Sequence, residues 1–202
     1  DALQNNTTAD SNTAVGRSAL SANTTGTNNV AVGYQALIAN TTGSSNVAVG
    51  VGALDSNTTS TDSTAVGTNA LGVNTGAGNT AIGSHALDAN TSGINNTAMG
   101  VNALGANTTG GPNIAIGNSA LLSNTTGNGS VAIGLNSLDA ATTGDNNTAV
   151  GNYALTSLTT AGSITALGYN AGNNLTTGAD TTIVGAYACL LYTSPSPRDR
   201  SL

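Results

Sequence analysis

The chain has 202 residues, a formal net charge of −6, 6% charged residues and 27 glycines, with no Phe, Trp, Glu or Lys. There is no cationic patch to neutralise phosphates, so a nucleic-acid binder is excluded, and no apolar run long enough to span a bilayer, so direct membrane insertion is excluded. One cysteine excludes a disulfide scaffold, and an apolar share of 38% argues against charge-driven disorder.

In chain order the sequence is a repeat. An Ala-Val/Ile-Gly triplet recurs with its glycine at Gly16, Gly33, Gly50, Gly67, Gly83, Gly100, Gly117, Gly134, Gly151, Gly168 and Gly185. The interval is 17 residues, shortened to 16 between Gly67 and Gly83. The unit Asn12–Asn28 reads NTAVGRSALSANTTGTN. Its start, Asn12–Gly16, alternates small and β-branched residues, which is the period of a strand. Ser18–Ser21 is read as a second short strand, and Asn23-Thr24-Thr25-Gly26 as a turn in which Asn and Gly tolerate positive φ. Gly16 marks the other bend. A 17-residue unit is too short for a helical hairpin, so each unit becomes one coil of a parallel β-solenoid whose columns stack at about 4.8 Å per coil. The missing residue falls between Thr75 and Asn79, in the turn, where length changes are tolerated.

The columns assign the faces. Alternation puts Thr13 and Val15 on one side of the strand and Ala14 and Gly16 on the other. Either face could point inward: Val15 inside would leave a flat Ala/Gly/Asn face outside and allow a monomer, whereas Ala14 inside with Leu20 suits a very thin lumen and, with no aromatic column to fill a wider one, is the expected arrangement. That leaves outside an aliphatic stripe of Val15, Val32, Val49, Val66, Ile82, Met99, Ile116, Ile133, Val150, Leu167 and Val184. A stripe of that length on a rod marks an interface, and these residues are the candidates for contact between copies of the chain. The Asn23 column is expected to form an internal ladder; late in the chain Leu158 and Leu175 replace its Asn, and Gly172 replaces the column leucine.

No catalytic constellation appears. His85, the only histidine, shares its column with Ser18, Gln35, Gly52 and Asn69 and reads as a solvent-facing loop residue with no partner repeating near it. The aspartates are scattered over several columns and lack the glycine-rich unit of a calcium β-roll, so no metal and no cofactor is expected. The sequon-like Asn23-Thr24-Thr25 recurs coil after coil and reads as turn chemistry. The Thr24 column is an eleven-rung hydroxyl ladder, Thr7 to Thr176, which admits an ice-binding reading. The exposed ligand-contact candidates are Tyr34, Tyr153, Tyr169 and Tyr187, in the variable columns after each glycine.

Runs such as Asn29-Val30-Ala31-Val32-Gly33 and Asn113-Ile114-Ala115-Ile116-Gly117 resemble the YadA-like head repeats of trimeric autotransporter adhesins. The resemblance spans Ala2 to Ala188. It implies a left-handed parallel β-roll, a side-by-side homotrimer with the larger strand aliphatics at the shared axis, and a surface adhesin that contacts a host protein or glycan. The unit is longer than the usual adhesin repeat and carries an added Asn-Thr-Thr-Gly turn, which looks more like the repeats of phage tail fibres and structural proteins of aquatic bacteria. The expected location is therefore a bacterial outer-membrane-anchored surface or a virion surface. The solenoid is assigned to residues 1–188, a segment open at both ends. Residues 189–202 hold the only Cys, two of the three Pro and two of the three Arg. They resemble the translated adapter of a shotgun sequencing library and are expected to be disordered and outside the fold.

Overall fold

A computed structural model describes residues 1–189. Eleven three-residue strands run from β1 (Thr13–Val15) through β2 (Val30–Val32), β3 (Val47–Val49), β4 (Thr64–Val66), β5 (Thr80–Ile82), β6 (Thr97–Met99), β7 (Ile114–Ile116), β8 (Val131–Ile133), β9 (Thr148–Val150) and β10 (Thr165–Leu167) to β11 (Thr182–Val184). They form one parallel sheet in sequence order, each strand pairing with the next. The register is the column register: Ala14 stands beside Ala31 and Val15 beside Val32. The fold is a parallel β-solenoid of 17-residue coils. The shorter coil keeps the register, with Ala65 beside Ala81.

From β2 to β10 the central alanine is wholly buried, as Ala31, Ala48, Ala65 and Ala81 show, while Ala14 in β1 is half-buried and Ile183 takes the place in β11; the Ala19-Leu20 pair and its counterparts through Ala154-Leu155 are buried too, with Ser137 replacing the alanine once. The lumen is a thin stack of alanine and leucine with two columns of buried Asn at its rim. Gly16 and its counterparts sit at φ between 126° and 142°, and at all of them but Gly185, in the last coil, a Cβ would strike the glycine carbonyl of the next coil. Only glycine satisfies both the left-handed backbone and that close approach.

Ser18–Ser21 is not a strand. It is a run of turns in which Ser18 and Leu20 have φ of 59° and 52°, and the same two positions are left-handed in the other coils. The reason lies in burial. A strand sends adjacent side chains to opposite faces, whereas Ala19 and Leu20 must both enter the lumen, so the chain curls instead. Left-handed φ for leucine is locally unfavourable, and burial of the whole side chain offsets it. Coil-to-coil pairing continues through the bend, from Leu20 N–H to the Ala36 carbonyl at 2.9 Å.

The Asn23 column does form a ladder. Asn40 Nδ2 donates to Asn23 Oδ1 at 2.9 Å, and Asn57 Nδ2 to Asn40 Oδ1 at 3.0 Å. A second run links Asn74, Asn90, Asn107 and Asn124, with amide-to-amide distances of 2.7, 2.7 and 2.9 Å. The two runs do not join. Across the short coil Asn74 Nδ2 turns to the Gly76 carbonyl at 2.7 Å, and Asn57 Oδ1 is left buried without a partner. Elsewhere the ladder Asn binds a carbonyl three residues on, as Asn90 binds Gly93 at 2.9 Å, so the residue missing from the short coil is the second Thr of the turn.

A further column, that of Asn12, staples the strand entry. Asn29 Nδ2 donates to the Gly43 carbonyl at 2.8 Å while its Oδ1 accepts the Asn46 N–H at 3.0 Å. Near the end of the rod, the space left by Gly172 is filled by Ile183 and Leu155, and Leu175 is buried in the Asn23 column. The expectation of a disordered tail lies outside the described residues except at Cys189, which falls in the Leu20 column and packs against the core.

Candidate binding surfaces

The outer strand face is built from the first and third residues of every strand. With alanine inward, Val15 is 58% exposed and Val184 67%, and Ile82, Met99, Ile116, Ile133 and Leu167 are exposed between them. Val32, Val49, Val66 and Val150 are half-buried by their stacked neighbours. All eleven candidate contact residues therefore lie on one face. The parallel column beside them is Thr13, Val30, Val47, Thr64, Thr80, Thr97, Ile114, Val131, Thr148, Thr165 and Thr182. The face is uncharged and carries no polar group beyond threonine hydroxyls. Strand backbone N–H and C=O groups are used in the sheet, so the face offers side chains only.

The bends after Gly16 and its counterparts carry the tyrosines. Three of the four come together. Tyr153 and Tyr169 meet edge-to-face with ring centroids 6.1 Å apart and planes at 90°, and Tyr169 and Tyr187 at 5.2 Å and 75°. Tyr34 stands apart, with the Arg17 guanidinium 5.8 Å from its ring centroid. Tyr153 and Tyr187 share a column while Tyr169 belongs to its neighbour, so the contact needs the stagger of successive coils. Column-by-column reading does not show it.

Sequence reading gives His85 no partner, but the structure supplies one. Its Nδ1 lies 3.0 Å from Asp88 Oδ2, three residues on, with both side chains partly exposed. The pair borders a shallow depression lined by Asn102, Gly105, Ala106 and Leu122, formed where Gly105 interrupts a column of larger side chains. A solvent-screened pair of this kind contributes less than about 1 kcal/mol. Among the described residues no group of three His, Cys, Asp or Glu is placed to hold a metal ion.

The Thr24 hydroxyls are engaged. Thr24 Oγ1 donates to the Thr41 carbonyl at 3.0 Å, and Thr91 and Thr108 repeat this at 2.9 Å. The hydroxyl ladder thus ties turn to turn. The Asn of the sequon-like turn is likewise internal: Asn23, Asn40 and Asn57 are wholly buried. No family model, curated protein or solved structure matches this chain.

Proposed function

We propose that this solenoid is a structural and adhesive segment of a surface fibre, with three copies associated side by side through the outer strand face. One observation carries the reading: an unbroken column of Val, Ile, Met and Leu from Val15 to Val184, exposed or half-buried at every coil, beside a second column of Thr, Val and Ile. Eleven coils at about 4.8 Å make the strip ~50 Å long. At one three-residue strand, about 10 Å, in width the strip offers roughly 500 Å² per chain, so two facing strips bury about 1,000 Å², the lower bound for a specific protein interface. Its chemistry is that of an interface core, apolar and uncharged. The number three comes from the resemblance of the repeat to YadA-like head repeats. Coil stacking supplies stiffness along the axis, and the variable bends remain outside the interface as the adhesive surface.

Light scattering after size exclusion tests the assembly. The full chain is expected at three times its monomer mass. The variant Val66→Asp/Ile116→Asp, which places carboxylates mid-strip without touching the lumen, is expected at the mass of one chain with unchanged circular dichroism. A wild-type mass of one chain at micromolar concentration refutes the side-by-side fibre.

A further inference from the structure

The tyrosine cluster has a feature that solenoid stability does not account for. The column holding Tyr153 and Tyr187 is left-handed throughout, with φ of 60° and 58° at these two residues. In most other coils the position is filled by Ser18, Gly52, Asn69, Asn102, Asn136 or Asn170, types that adopt this conformation readily or at small cost. A bulky aromatic residue there is locally strained, and strain held at an exposed position points to a role outside folding. Both tyrosines sit where Tyr169, one coil between them, can touch each. Two of the rings remain well exposed, Tyr169 at 44% and Tyr187 at 53%. In Tyr34, by contrast, the ring is met by a cation of its own chain.

Amides flank the rings. Asn152 precedes Tyr153 and Asn170 follows Tyr169. Asn152 uses its Oδ1 to accept the Leu135 N–H at 3.0 Å, which fixes the side chain beside the cluster. The six bend residues, Asn152, Tyr153, Tyr169, Asn170, Ala186 and Tyr187, carry no charge. We propose that this patch binds a neutral pyranose oligosaccharide, with the C–H faces of sugar rings against the tyrosines and sugar hydroxyls on the Asn amides and phenol groups. Aromatic rings with a polar tip suit a ligand that is apolar on one face and hydroxylated at its edge. With no cation in the patch, a carboxylated or sulfated sugar finds no partner for its charge. The assignment rests on the adhesive reading of the bends and is independent of trimer formation, because the strand face contributes nothing to it.

The full chain is titrated with hexaoses of glucose, mannose and galactose and with a sialylated oligosaccharide, followed by saturation-transfer NMR and tyrosine fluorescence. At least one neutral hexaose is expected to bind with a Kd on the order of millimolar or below, and the sialylated probe more weakly. Tyr153→Asn/Tyr187→Asn introduces the residue this column already uses. It is expected to melt no lower than wild type and to weaken binding about tenfold or more, as loss of aromatic anchors does. Tyr34→Ser is expected to bind as wild type does. Absence of binding to every neutral hexaose overturns the proposal, and so does unchanged binding by the double variant. The solution mass of the same samples reports separately on the fibre reading.

Discussion

Leucine at Asn107 and leucine at Asn57 place the same side chain in the same buried column, yet their costs should differ. Asn107 donates to Asn90 Oδ1 at 2.7 Å and accepts from Asn124 Nδ2 at 2.9 Å. Removing its amide leaves an acceptor on Asn90 and a donor on Asn124 without partners, in residues that are 0% and 1% exposed. Each orphaned buried group costs about 1–3 kcal/mol, so Asn107→Leu should lose roughly 2–6 kcal/mol. Asn57→Leu also orphans one acceptor, Asn40 Oδ1, but it deletes the Asn57 Oδ1 that already lacks a partner. The orphan count does not rise, and the expected cost is at least about 2 kcal/mol smaller. Leucine itself fits the column, as Leu158 shows by being wholly buried there. Urea unfolding followed by circular dichroism gives the overall ranking. Native-state hydrogen exchange of the coils on either side gives the local one, since a stack of repeats can open in parts. Equal costs, or a larger cost at Asn57, would refute the idea that the short coil splits the ladder into two independent runs.

Gly100→Ala should cost on the order of 3 kcal/mol or more, because φ is 142° and the new Cβ meets the Gly117 carbonyl. Gly105→Ala has no such backbone and first contacts at 3.2 and 3.3 Å, so thermal melts should separate the two by several degrees. Gly172→Leu alone should destabilise, since a Cβ there lies 2.8 Å from Ile183 Cδ1 and 2.9 Å from Leu155 Cδ2. Adding Ile183→Ala recreates the alanine–leucine arrangement of the other coils. A double-mutant cycle should give a favourable coupling of about 1 kcal/mol or more, and additivity would count against this filling. Burial raises the pKa of Asp139 above the ordinary carboxylate value, against the opposing effect of nearby backbone N–H groups. The folded state therefore holds that proton more tightly than the unfolded chain, and the stability this confers is present at low pH and lost as pH rises through the raised pKa. Asp139→Asn is expected to melt higher than wild type at neutral pH, with the advantage shrinking on acidification through the carboxylate range.

Much of this architecture is legible in the columns. The alternation of Asn12–Gly16, the Ala14 and Leu20 columns and the fixed spacing give a strand, a bend, a lumen and a stack. Stacking makes each residue the neighbour of its own column, so recurrence in sequence becomes contact in space. The Asn23 ladder follows from the same logic. Ser18–Ser21 was harder to read. Its polar–apolar–apolar–polar run passes for a strand, and the adjacent pair Ala19-Leu20, which period two cannot bury, was the signal against it. The Asn12 staple is hidden because it crosses columns, running from the strand entry of a coil to the turn that closes it, 14 residues on.

By itself the sequence determined the coil, its length, its count and the two alternating columns of the strand, one small and one aliphatic. These depend on period and residue size, which a repeated unit states once per coil. Burial in the folded rod decided that the small column lines the lumen. Tertiary structure alone decided which residues of different columns meet, Tyr169 with Tyr153 and Tyr187 and His85 with Asp88, and where the Asn23 column breaks, between Asn57 and Asn74. Those contacts depend on the stagger between coils and on the path of the chain through left-handed bends. That path is set by the need to bury two consecutive side chains, a packing demand that no single unit of the repeat expresses locally.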